Sequence, residues 1–444
     1  MRDRSRQAVL EGARGLLVAA IVGYHALRLL LSRNGDNWGD VSALWWWAGT
    51  GRFGVDAFFV LAGFLMVGSW RSCRDRASST FGAVRDFAAR RAWRILPPYL
   101  AMLVVLVPMV APGLLRPEGW RDLLRLLTVQ QYLDVHLPAT VNVPIWSLTT
   151  EVHFYVLAPL LAWLVARYGG WKLWLVAAPF GLWWVESSFR GELAGGLLPG
   201  RIDQFVLGAS AAALLARVSA GERSRLVGAL TSRLALPVLT LALVGVGTYH
   251  GATFQHPIEG VLPDLVHPVA ALLLAGLLVR LVAGGPVRLL EHPAMVWLGS
   301  ISFSLYLWHY PILDQGLRLT GATRGPAPQA ALTGVVLVAL AIGVATASHH
   351  LVELPATRRR GGRPAGLPVV QAELGLEDPQ EVALAERHDA GGALGGGADH
   401  PVALAQLAQV ATVDAQRGRS VAGHRERERG ARVEHQGAVE EHVG

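Results

Sequence analysis

The sequence predicts an all-α polytopic integral membrane protein of about ten transmembrane helices, with both termini inside and a disordered C-terminal tail. Three observations predict it. Of 444 residues, 52% are hydrophobic and only 16% are charged, against about 25% charged in a soluble domain. Ten stretches approach the roughly 20 apolar residues that a ~30 Å hydrocarbon layer requires. Basic residues gather in alternate loops, as the positive-inside bias demands. The 15 Trp agree, since indole rings favour the membrane interface.

In chain order the stretches are 10–31, 55–70, 98–115, 146–166, 172–185, 202–216, 234–249, 265–282, 296–313 and 330–351. Several are short, which predicts tilted or broken helices, and 172–185 and 202–216 are the weakest. The first has charges at its start and lacks a small-residue cleavage site, so it is expected to stay as a helix. Segment 120–133 is amphipathic and is expected at the membrane surface. The N-terminal segment, the loop holding Arg71, Arg74, Arg76, Arg85, Arg90, Arg91 and Arg94, and the stretch after the last span carry most of the basic side chains. This places both termini inside, and it explains the net charge of +7 without nucleic acid.

Past Arg363 the composition changes. Residues 365–444 contain no Phe, Trp, Tyr, Met or Cys, and 391–397 is a glycine-rich tract. Such a segment cannot bury enough apolar surface to offset its ordering entropy. Residues 1–360 are therefore expected to form the functional membrane domain, and 361–444 a disordered cytoplasmic tail. Cys73 is the only cysteine, read as a bystander in an Arg-rich loop. A single thiol permits neither an intrachain disulfide nor a Cys metal cluster, and no metal is expected.

Charges inside a span cost on the order of 2.5–3.5 kcal/mol each, so they need a reason. The first span holds Glu11, Arg14 and His25. At about 100° per residue Arg14 and His25 fall on nearly one helix face, roughly 16 Å apart, with Glu11 one turn before Arg14. Glu151, in Trp146-Ser147-Leu148-Thr149-Thr150-Glu151, is expected at the depth of His25. A carboxylate beside that imidazole would fix its tautomer and raise its basicity, as a general base for a hydroxyl needs. One inward cavity shared by Arg14 and His25 is expected. Asp56 opens the second span, Arg201 and Asp203 flank the start of the sixth, and His309 lies in the outer half of the ninth. Arg90 and Arg94, one turn apart beside Arg91, could grip phosphate. Glu353 and Arg358 close the tenth span.

No phosphate-binding GxxxxGK[ST] loop, GxSxG elbow, HExxH or paired CxxC is present. The motifs that are present run in order along residues 10 to about 360. They are Leu10-Glu11-Gly12-Ala13-Arg14-Gly15 through Tyr24-His25, the stretch from Gly54 to Leu65, and Arg90-Arg91-Ala92-Trp93-Arg94-Ile95. After these come Trp146 to Glu151 with Phe154-Tyr155, Arg201 to Gly208, Tyr306-Leu307-Trp308-His309 and Glu353-Leu354-Pro355. In this order they resemble the acyltransferase-3 family of membrane O-acyltransferases. Ala62 stands where the family usually has Ser, and Thr149-Thr150 replaces Ser-Val.

The resemblance implies ten spans, acyl-CoA as cytoplasmic donor and an Arg-His pair in the first helix, here Arg14 and His25. It implies His25 as catalytic base or transient acyl acceptor, Arg14 as orienter of the donor, and functional roles for Glu151 and the Arg90, Arg91, Arg94 cluster. Asp56, Arg201, Asp203 and His309 are expected on the acceptor side. The expected activity is transfer of a short acyl group, acetyl first, from acyl-CoA to a hydroxyl of a cell-surface carbohydrate, in a multi-pass protein of the plasma membrane. A small secreted metabolite such as a macrolide sugar is the alternative acceptor. A multi-pass transporter is the alternative class, though no inverted repeat supports it.

Overall fold

In lipid a backbone polar group finds no water, so each apolar run satisfies its own hydrogen bonds as a helix. The computed structural model describes residues 2–34, 42–131, 141–187, 196–255, 265–322 and 326–359, and every regular element among them is helical. They are α1 (Arg2–Asn34), α2 (Ser42–Arg76), α3 (Thr80–Val110), the short α4 (Trp120–Leu127), α5 (Trp146–Tyr168), α6 (Gly170–Ser187), α7 (Ile202–Ser219) and α8 (Arg225–Leu230). Then follow α9 (Ala235–Gln255), α10 (Val266–Ala283), the short α11 (Arg288–Glu291) and α12 (Pro293–Ser300), α13 (Ser302–Thr320) and α14 (Ala327–Ser348). A π-helical turn over His349–Glu353 joins α14 to α15 (Leu354–Arg358). The tail expected over 361–444 lies outside the described residues.

Among the described residues, eight helices are long and apolar enough to cross a membrane, where the sequence suggested about ten. The two expected spans outside that set correspond to α6 and α13. α6 covers the weak 172–185 run and carries Pro179 in its interior. α13 holds Ser302, Ser304, His309 and Asp314, all buried. It packs against α1 and α14, so its polar side chains face protein and need not be apolar.

α1 and α2 form the centre of the bundle. α2 touches α1, α3, α5, α7, α9 and α10, while α1 touches α2, α12, α13 and α14. Small residues let these helices close up. A Cβ on Gly208 would lie 2.8 Å from the Phe64 amide nitrogen and closer still to the Val60 carbonyl oxygen; Gly63 faces the Phe205 backbone in the same way. α2 and α7 thus meet backbone to backbone. Outward, Val104, Met109, Val156, Leu241 and Val335 are exposed, an apolar surface suited to lipid and costly in water. α4 shows both faces expected of 120–133, with Trp120 and Leu124 exposed and Leu126 buried. Cys73 is a free, buried thiol within α2 rather than in a loop. Ser79 starts α3 by accepting from the Gly82 amide at 3.0 Å.

Candidate active site

One face of α1 presents Glu11, Arg14, Val18, Val22 and His25 in successive turns. At its lower end Arg14 Nη1 donates to both carboxylate oxygens of Glu11 at 3.2 Å, the predicted pair, and Nη2 donates to Ser302 Oγ at 3.0 Å. Arg14 is 8% exposed and Glu11 2%, so the ion pair is dry and each partner depends on the other.

Arg14 lines a cleft of about 820 Å³ that opens to solvent. Arg91, Arg94, Glu151, Tyr155 and Tyr306 share its wall, and Phe58, Ala62, Leu65, Ile95 and Phe303 supply apolar surface. Arg91 is held by its flat face, its guanidinium carbon 5.0 Å from the Tyr155 ring centre and 5.5 Å from that of Phe87. Arg90 is exposed and is not among the lining residues. The arginine pair that faces the cleft is therefore Arg91 with Arg94, at i and i+3, rather than Arg90 with Arg94.

Glu151 accepts from the Tyr155 hydroxyl and does not reach His25, contrary to the expected pair. The cause is helix placement: α5 packs on α2, α3, α6 and α7, whereas α1 faces α13. The partner of His25 is instead His309, whose Nε2 lies 3.0 Å from His25 Nδ1. His309 is wholly buried and His25 9% exposed, with the Tyr310 ring edge-on to His25 at 5.3 Å. His25 is also not among the cleft-lining residues. Val18, Val22 and Leu305 pack with Phe58 in an apolar collar, with Val18 and Val22 between Arg14 and His25 along α1.

A second polar centre surrounds Asp56. Its Oδ1 accepts from Gln204 Nε2 at 2.6 Å, Arg201 Nη1 at 2.9 Å and His267 Nδ1 at 3.0 Å. This unites Asp56 with Arg201 as grouped from sequence, and adds Gln204 and His267, which that reading missed. Their signal was faint: one His opening an apolar run, and one Gln beside Asp203. Asp203 is buried beside this centre, and its Oδ2 has no hydrogen-bond partner among the described residues. At the opposite end, Glu353 accepts from Ser304 at 2.8 Å and from His349 at 3.0 Å. His153 pairs with Gln130 at 2.9 Å and does not line the cleft.

The family model described as "Acyltransferase domain" matches residues 7–348. The acyltransferase MdmB of Streptomyces mycarofaciens is 30% identical over 70% of this chain and 82% of its own length. The exopolysaccharide production protein ExoZ of Rhizobium meliloti is 28% identical over 70% of this chain and 92% of its own. The peptidoglycan O-acetyltransferase OatA of Listeria monocytogenes is 24% identical over 68% of this chain, which spans 49% of that longer protein. No solved structure matches the chain.

Proposed function

The chain belongs to the acyltransferase-3 family of membrane acyltransferases, and from that premise we propose that it moves a short acyl group, acetyl first, from acyl-CoA to a hydroxyl of a cell-surface carbohydrate at the plasma membrane. The observation that carries the donor is the cleft with Arg14, Arg91 and Arg94 on an otherwise largely apolar wall. Guanidinium groups suit the phosphates of CoA, and apolar lining suits its pantetheine arm and acyl chain. The acceptor class rests on relatives named for exopolysaccharide production and peptidoglycan O-acetylation. A carbohydrate hydroxyl is a poor nucleophile at neutral pH, so it needs a base, and His25 is the imidazole nearest in sequence logic to the donor arginine.

The unprotonated nitrogen of His25 takes the hydroxyl proton as the oxygen attacks the thioester carbonyl. The C–O bond forms, the C–S bond breaks, and the departing thiolate takes the proton back from the imidazolium. The thioester must pass the Phe58 collar to meet His25, with CoA's phosphates left behind on the arginines. The test is a labelled acetyl-CoA assay on protein reconstituted in liposomes with an extracted glycan acceptor. The Arg91→Ala, Arg94→Ala double variant is expected to raise the donor KM by roughly tenfold or more, since each charge-assisted hydrogen bond contributes about 1.5–3 kcal/mol. An unchanged donor KM with correct insertion would remove the cleft as the CoA site.

A further inference from the structure

We infer that His309 is a positioning residue that sets the tautomer of His25, leaving His25 Nε2 as the atom that takes the proton. The inference deepens the proposed acyl transfer and rests on it for the chemistry, but its geometry stands alone. His309 Nδ1 lies 2.8 Å from the Tyr306 carbonyl oxygen and 3.0 Å from that of Leu305. A carbonyl oxygen only accepts, so His309 Nδ1 carries the hydrogen. In the neutral ring the hydrogen then belongs to that nitrogen alone, and Nε2 presents a lone pair. That lone pair faces His25 Nδ1 at 3.0 Å. The hydrogen in this contact must come from His25, so His25 Nδ1 is protonated and His25 Nε2 is not.

Backbone geometry of α13 thus reaches through two rings to define the basic atom on α1. In water a neutral histidine prefers its hydrogen on Nε2, so both rings are held in the less common form. The arrangement gives the protonated intermediate a partner as well. When His25 Nε2 accepts the hydroxyl proton, the Nδ1–H to His309 becomes charge-assisted and strengthens. His309 can share that charge and still donate to the Leu305 and Tyr306 carbonyls. The role sought from sequence in Glu151 falls here to a neutral imidazole. The partner keeps its neutral lone pair without placing a carboxylate in the bundle core.

The test labels histidine with heavy nitrogen in the full chain, reconstituted in lipid, and reads tautomers by solid-state NMR. The His25 signals are assigned by their loss in His25→Gln. The wild type is expected to show His25 protonated on Nδ1 and bare on Nε2, and His309→Ala is expected to shift His25 towards the Nε2–H form. In transfer assays His309→Ala, which keeps the base itself, should lower kcat roughly tenfold or more, part of the ~10²-fold or more that a general base supplies, with the donor KM unchanged. His309→Gln, whose amide oxygen can accept the same hydrogen, should recover much of that loss. A wild-type His25 protonated on Nε2, a tautomer indifferent to His309→Ala, or full kcat in His309→Ala overturns the inference. Failure of the wild type to use acetyl-CoA at all would instead refute the donor reading, with the NMR arm still deciding the tautomer.

Discussion

Arg14 shows how one buried residue serves fold and chemistry at once. It neutralises Glu11, anchors Ser302 of α13 and lines the cleft. Arg14→Ala is therefore expected to destabilise the protein by about 3–5 kcal/mol, because it strands a buried carboxylate, and to abolish transfer. Replacing both partners, Glu11→Gln with Arg14→Met, should restore much of the thermal stability in detergent without restoring transfer. Equal loss of stability in the single and double variants would contradict that division. The Glu11–Arg14 pair was legible in the sequence because a three-residue separation puts two side chains on one helix face. The His25–His309 contact was not, because 284 residues separate its partners and their meeting depends on which faces α1 and α13 turn to each other. Where the sequence predicts a carboxylate beside this buried imidazole, the fold supplies another imidazole.

Between helices, two contacts control the site. The first is the backbone approach of α2 and α7 at Gly63 and Gly208, which holds Asp56 against Arg201 and Gln204. Gly208→Ala puts a methyl group against the Val60 carbonyl and is expected to lower stability by about 1–3 kcal/mol, read as a lower melting temperature in detergent. A variant as stable as the wild type would show that the two helices part easily. The second is the collar of Val18, Val22, Leu305 and Phe58. Phe58→Trp should slow kcat, since the acyl group must pass this side chain to reach His25. An unaltered kcat would mean the acyl group takes another route. Such contacts escape sequence reading because hydropathy locates helices without fixing their rotation, and rotation decided that Arg91 rather than Arg90 faces the cleft.

For the molecule as a whole, hydropathy and the distribution of charge announced a helical membrane protein, and eight helices meet the length and apolarity of a span. α13, expected from sequence as the span 296–313, falls outside those eight because its polar groups, His309 among them, point into protein. The family match over residues 7–348 ends the case for a transporter and concentrates function in the bundle. Deleting residues 361–444 is accordingly expected to leave acyl transfer within about twofold of the full chain; its loss would give the tail a role. Acyl transfer here rests on a donor held by Arg14, Arg91 and Arg94 and a base, His25, three turns above Arg14 on α1. Its most direct test compares wild type and His25→Ala, both verified as inserted, in liposomes supplied with labelled acetyl-CoA and glycan. The account predicts label on the glycan with the wild type and a fall of at least about 10²-fold with His25→Ala; undiminished labelling by His25→Ala would contradict it.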